Sequence, residues 1–299
     1  MKTKIIRPAL LALAVALNLA ARGDSFMPRQ APVAPAAAKV VVQPGNNMPV
    51  VAATLNGRPC TLLFDTGATH TTFDTTFIQK ALPAAKLEPV VLAGQTNVEG
   101  LPQLLHADTL TIGEATFGDF DAMVLAMPHL SASIGTSIDG VLGMNVIGAT
   151  RTVLSLGAGE VRFGLPIETR GDFGTPARRN PRDPFSIDLV AEIDGKPLPL
   201  IVDSAASFTF LNRSSGWKST GEAAPLAAID INGNSDLQPV RGETGALTLG
   251  TPVTIAPLLV PAPLNRIGAD TLLRYDLLIE PRAVAFRSYV PAQPPQPQP

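Results

Sequence analysis

The chain repeats itself, and the repeat limits what it can fold into. Asn56-Gly57-Arg58-Pro59 followed by Thr61-Leu62-Leu63-Phe64-Asp65 returns as Asp194-Gly195-Lys196-Pro197 followed by Pro199-Leu200-Ile201-Val202-Asp203. The offset is 203 − 65 = 138, and at that offset Ala68-Thr69 returns as Ala206-Ser207 and Thr72-Phe73 as Phe210-Leu211. Leu110-Thr111-Ile112-Gly113 returns as Leu247-Thr248-Leu249-Gly250 at an offset of 137. Val141-Leu142-Gly143-Met144-Asn145 matches Arg266-Ile267-Gly268-Ala269-Asp270 at 125. Four landmarks in one order require two copies of one supersecondary unit. The first copy is longer by 137 − 125 = 12 residues, in a stretch that includes His129 to Ser137.

Each landmark reads as β structure. Val50 to Leu55 and Cys60 to Phe64 flank Asn56-Gly57, a hairpin turn pair, and Asp194-Gly195 does the same between Ile187–Ile193 and Leu198–Val202. Gly94 falls opposite Asn232-Gly233, so both bodies are expected to carry a second hairpin. With 29 Pro, 25 Gly and 5% aromatic residues, many turns and short strands fit better than a helical bundle. Helical periodicity is confined to short stretches such as Phe77–Ala84. Hydrophobic residues at 45% and charged residues at 16% supply a core and exclude a disordered chain. The net charge of −2, with no basic stripe, argues against nucleic acid as a partner.

The ends read differently from the repeats. Lys2, Lys4 and Arg7, the apolar run Ala9 to Leu17, and the small residues Ala20 and Ala21 form an export-signal pattern over 1–21. The apolar run is short for a membrane span, so no stable span is expected after cleavage. The chain is expected to be exported, to a periplasm or the extracellular space. Residues 22–37 read as an Ala/Pro-rich linker, 38–168 as the first lobe, 169–184 as an interlobe linker, 185–290 as the second lobe, and 291–299 as a disordered Pro/Gln tail. Cys60 is the only cysteine, which excludes an intramolecular disulfide and suits a small core residue.

The candidate chemistry lies where two apolar strands each run into an acid. Asp65 follows Leu62-Leu63-Phe64, close to a core where desolvation penalises its charge; Thr66 adds a hydroxyl and Gly67 a permissive backbone. The repeat supplies a second acid in Asp203-Ser204. Two carboxylates held close cannot both ionise easily, so they share a proton. One can then act as base on a water while the other donates to a carbonyl.

Leu63-Phe64-Asp65-Thr66-Gly67-Ala68 resembles the active-site signature of retropepsin-like aspartic proteases. Val141-Leu142-Gly143 and Arg266-Ile267-Gly268 resemble the apolar-apolar-Gly element that follows it, with Arg266 standing at the first apolar position. The resemblance spans both bodies. It implies an all-β chain of two retropepsin-like six-stranded β-barrel lobes in a pepsin-like bilobal arrangement. It implies an endopeptidase with Asp65 and Asp203 as catalytic residues, Thr66 and Ser204 bracing the two loops, and a flap around Gly94. A peptide or protein substrate is implied, with no metal and no organic cofactor, because the two acids activate water directly. A monomer is expected, and a homodimer acting through the first lobe stays open.

Two departures bear on activity. Ala205 stands where the family has Gly, and its methyl group is expected to crowd the two loops or forbid the usual backbone. Ala68 and Ala206 stand where pepsin-like enzymes carry a hydroxyl that favours the ionised acid, so an optimum in mild acid is expected. The alternative is a catalytically inactive relative that binds peptides or proteins at the cell envelope. His70, His106 and His129 show no metal-site spacing and read as surface or loop residues, and Asp119 and Asp121 as solvated loop acids.

Overall fold

The turn pairs act as their chemistry demands. Asn56 and Gly57 have φ of 45° and 79°, and Asp194 and Gly195 have 50° and 74°. Two consecutive left-handed residues match the twist of a tight hairpin. Pro49–Leu55 therefore pairs with Arg58–Phe64, Val50 facing Leu63, and Asp188–Ile193 pairs with Lys196–Val202 in the same way. The computed structural model describes residues 23–44, 46–90, 102–167, 173–179, 186–223, 239–261 and 265–290. It is all β, in two sheets of 13 and 9 strands.

The first lobe is a closed barrel of six strands. Pro49–Leu55, Arg58–Phe64, Gly140–Leu142, Thr72–Asp74, Ala115–Leu125 and Gln103–Ile112 pair in that order, and the last returns to the first with Ala53 facing Ile112. Leu55, Leu62, Phe64, Leu110, Phe117 and Phe120 fill it, each at most 1% exposed. Burying each such side chain contributes about 1.5–3 kcal/mol.

The second lobe repeats the order with one break. The long strand Ala115–Leu125 has two counterparts, Thr251–Ile255 and Leu258–Val260, separated by Ala256-Pro257. Pro257 has no N–H to give to a ladder, so the strand is cut there. The extra residues of the first lobe include the short helix Leu130–Ile134, whose Leu130 and Ile134 pack with Ile138, Val50 and Leu63.

The lobes share a sheet. Each ends in a hairpin, Thr152–Ser155 with Glu160–Phe163 and Tyr275–Glu280 with Ala283–Ser288, and these lie side by side with Leu277 opposite Leu154. An ion pair crosses the seam from Arg151 Nη2 to Glu280 Oε1 at 2.8 Å.

The described parts of both expected linkers, residues 23–37 and 173–179, are instead built into the fold. Over 22–37, Phe26 is fully buried, Gln30 bridges Gly118, and Ala36–Val42 pairs with Glu160–Phe163. One aromatic anchor and alternating small apolar residues suffice to dock a segment whose composition reads as linker. Over 169–184, Phe173 is buried against Val153, Leu278 and Ala285, and Ala177–Arg178 adds an edge strand beside Ala283–Ser288. The repeat extends into these segments. A β-carbon on Gly113 would meet Ala37 O at 2.4 Å, and one on Gly250 would meet Thr175 O at 2.3 Å; the partners are 175 − 37 = 138 apart.

The expected helix at Phe77–Ala84 is Thr75–Ala81, because the Asp74 carboxylate caps it by accepting the N–H groups of Thr76 and Phe77. No helix among the described residues is long and apolar enough to cross a membrane. The expected hairpin positions Gly94 and Asn232-Gly233 lie outside the described residues.

Candidate active site

Each acid hangs from the apolar-apolar-Gly element of its own lobe. The Asp65 N–H donates to Leu142 O at 3.0 Å and the Asp203 N–H to Ile267 O at 2.9 Å. The glycines of these elements are required by a close crossing of the chain, and their φ values near −100° carry no strain. A β-carbon on Gly143 would lie 2.4 Å from the backbone carbon of His70, and one on Gly268 2.3 Å from Phe208 O. Met144 N–H then donates to Ala68 O, and Ala269 N–H to Ala206 O, both at 2.8 Å. The same frame thus holds both acid loops.

The loops interlock through two buried hydroxyls. Thr66 Oγ1 donates to Val202 O at 2.8 Å and accepts the Ser204 N–H at 2.9 Å. Ser204 Oγ donates to Phe64 O at 2.7 Å and accepts the Thr66 N–H at 3.0 Å. Both side chains are 0% exposed, so each bond is made away from water and the loss of any one would strand a buried polar group.

The carboxyls meet below this brace. Asp65 Oδ1 accepts the N–H groups of Gly67 at 2.7 Å and Ala68 at 3.1 Å. Asp203 Oδ1 accepts those of Ala205 and Ala206, both at 3.0 Å. Amide donors therefore contact both acids beside Ala68 and Ala206, whose side chains carry no hydroxyl. Burial, first, and then the neighbouring Asp203 charge push Asp65 well above the usual carboxylate range. A hydrogen bond between the two carboxyls adds to this, while the Gly67 N–H and, least, Arg266 oppose it.

The crowding expected at Ala205 falls on the other loop. A β-carbon on Gly67 would stand 2.6 Å from the Asp203 carboxyl carbon. Ala205 instead lays its methyl group against the apolar cluster of Val50, Leu63, Ile138 and Val141. Neither Gly67 nor Ala205 has a positive φ, so the backbone at this position does not demand glycine.

One residue enters the site that sequence reasoning marked only as a flaw in the pattern. The Arg266 Nη1 donates to Asp203 Oδ2 in a tight ion pair, with Asp203 only 3% exposed. The visible sign was a cation at a repeat position that holds Val141 in the first copy. Arg266 also lines a cavity of about 870 Å³ on the second lobe, with Leu200, Ile201 and Asn265.

Residues outside the site fall into place as follows. Burial pushes the Cys60 thiol up to about 12, which leaves it an unreactive core group. His70 lies in a loop, as one of the two expected settings, and is half-buried there: its ring packs edge-on against Phe26 at 4.3 Å, and burial lowers it to about 4. His106 is exposed, 3.5 Å from Asp119 and 3.2 Å from Asp121. Among the described residues no group of His, Cys, Asp and Glu gathers to hold a metal.

Residues 51–146 match the family model described as aspartyl protease. That span carries Asp65, Thr66, Gly67 and the Val141-Leu142-Gly143 element, and covers 146 − 51 + 1 = 96 of the 299 residues. No curated protein matches the chain.

Proposed function

We propose that the chain is an exported aspartic endopeptidase in which Asp65 and Asp203 together activate water against a peptide bond. The observation that carries the reading is the reciprocal brace of Thr66 and Ser204, which fixes two acids from two lobes at one point. The raised Asp65 adds support, since hydrolysis needs one carboxylic acid and one carboxylate together at working pH. Water adds to the carbonyl carbon as the carboxylate takes its proton and the acid protonates the carbonyl oxygen. The resulting diol collapses as a proton reaches the leaving nitrogen and the C–N bond breaks. Substrate would lie extended in the cleft between the lobes, pairing with strand edges.

A second reading, a peptide-binding relative that does not hydrolyse, is favoured by the Arg266 contact, which covers one oxygen of Asp203. A peptide library scanned from about pH 3 to 8, the range of carboxyl and His titration, separates the two. The wild type, Asp65→Asn and Asp203→Asn are compared as folded proteins. Loss of cleavage by more than about a thousandfold in both variants, in line with losing one member of a catalytic unit, is the expected result. Retained cleavage in Asp203→Asn alone would move the chemistry to a dimer of first lobes. A folded wild type that binds peptides and cleaves none would favour the second reading.

A further inference from the structure

We infer that Arg266 decides which acid carries the shared proton: it keeps the negative charge on Asp203 and leaves Asp65 as the acid that meets the substrate carbonyl. The inference rests on the hydrolytic reading above and adds a positioning residue to it.

The repeat defines the position. Val141 lies opposite Leu63 in a parallel strand pair, and Arg266 lies opposite Ile201 in the equivalent pair. Val141 is 5% exposed and belongs to an apolar cluster. Arg266 breaks that use of the position and turns its guanidinium onto Asp203 Oδ2. Both oxygens of Asp203 are then occupied by donors, Oδ1 by two amides and Oδ2 by a cation. A resting proton on Asp203 would remove the charge that the guanidinium pairs with, while the second lone pair of Oδ2 stays open to a proton in transit. Asp65 has two amide donors on one oxygen and, among the described residues, no cation in contact. An opposite charge in contact favours the ionised form of a carboxyl by about 1–3 pH units.

Two of the three other charged groups that line the cavity with Arg266 are engaged elsewhere. Across the cavity, Arg179 donates to the main-chain carbonyls of Ser186 and Glu280, and Asp188 accepts the Ser186 hydroxyl. Arg178 lines the same cavity. Asp65 is the remaining acid in the site. Arg266 Nε is buried without a hydrogen-bond partner among the described residues, so the Asp203 contact is what holds the guanidinium.

The chemistry follows. Asp65 gives its proton to the carbonyl oxygen while Asp203 takes one from the attacking water. Asp203 then passes that proton to the leaving nitrogen, and Asp65 recovers one from the diol as the C–N bond breaks. On this inference the ion pair extends the active dyad to lower pH, because an opposite charge in contact favours an ionised carboxyl.

The test is the pH–rate profile of the wild type, Arg266→Leu and Arg266→Lys on a peptide that the wild type cleaves. Carboxyl titration is followed in the same proteins by NMR with 13C-labelled aspartate. Arg266→Leu is expected to move the acid limb up by about one pH unit or more, so the rate on that limb falls about tenfold. Arg266→Lys should restore most of it. Superimposed profiles and titrations for wild type and Arg266→Leu would overturn the inference. If the wild type cleaves nothing, the hydrolytic reading fails alone, and the carboxyl titrations still decide the role of Arg266. If Arg266→Leu does not fold, Arg266→Gln replaces it with the same two outcomes.

Discussion

In the first lobe the residue two past the acid is Gly67, and in the second it is Ala205. The first position has no room for a methyl group because the Asp203 carboxyl lies against it; the second has room because it looks onto an apolar cluster of the opposite lobe. The same contrast recurs at two further positions of the repeat. Val141 packs in a core, whereas its counterpart Arg266 pairs with an acid. Asn145 accepts the N–H and hydroxyl of Thr71 on Oδ1 and donates to Phe26 O at 2.7 Å; its counterpart Asp270 accepts the same two groups of Thr209 and carries no N–H to give. Backbone and brace obey the repeat while the flanking side chains depart from it. Two lobes with one backbone need not do the same work, and two of the departures, Ala205 and Arg266, contact Asp203 directly.

The largest effect is expected where the lobes are alike. Thr66→Val and Ser204→Ala each remove one donor and one acceptor from a buried pair of bonds. Each should cost about 2–6 kcal/mol in denaturant unfolding, the sum for two buried groups left without partners. Near-equal losses would mark a symmetric brace, and a loss confined to one variant would break the comparison. Next come Gly67→Ala and Ala205→Gly, the two loops exchanged. Gly67→Ala forces a carbon into the Asp203 carboxyl and should cost about 1–3 kcal/mol, with cleavage lost. Ala205→Gly removes a methyl group from a cluster edge and should cost less than about 1 kcal/mol, with cleavage retained. A reversed order would mean that Ala205, not Gly67, sits at the tight point.

The barrel strands, both hairpin turns and the two acids were legible in the sequence because their causes are local. An Asn-Gly or Asp-Gly pair dictates its own turn, and an apolar run ending in an acid marks its own position. The hydroxyl brace was legible only through resemblance, since nothing about Thr66 or Ser204 alone says that they reach across to Val202 and Phe64. The docking of residues 23–37 was hidden because Ala and Pro dominate the composition, while the decision rests on Phe26 and the alternation of Ala36, Ala38 and Val40. The fate of Ala205 and the reach of Arg266 depend on which lobe each side chain faces, a tertiary fact with no local sign beyond a mismatch between the copies.

The smallest effect sharpens the comparison at its far edge. Asp270 is a carboxyl raised by burial, against the donors from Thr209 and Thr271 and the charge of Arg274. A raised carboxyl contributes its stability fully below the unfolded value near 4 and loses it as pH rises through the folded value. Asn at the same position does not titrate, and Asn145 shows that the first lobe accepts it with Thr71. Asp270→Asn should therefore raise the melting temperature at pH 7 by about 1 °C, roughly half a kcal/mol for a chain of this size, and the gain should fade by about pH 4. A gain that persists unchanged in acid would trace to the new N–H group and not to the charge. A loss at pH 7 would mean that the anion at Asp270 is held by Arg274 more firmly than burial opposes it, and that the second lobe uses this acid where the first uses an amide.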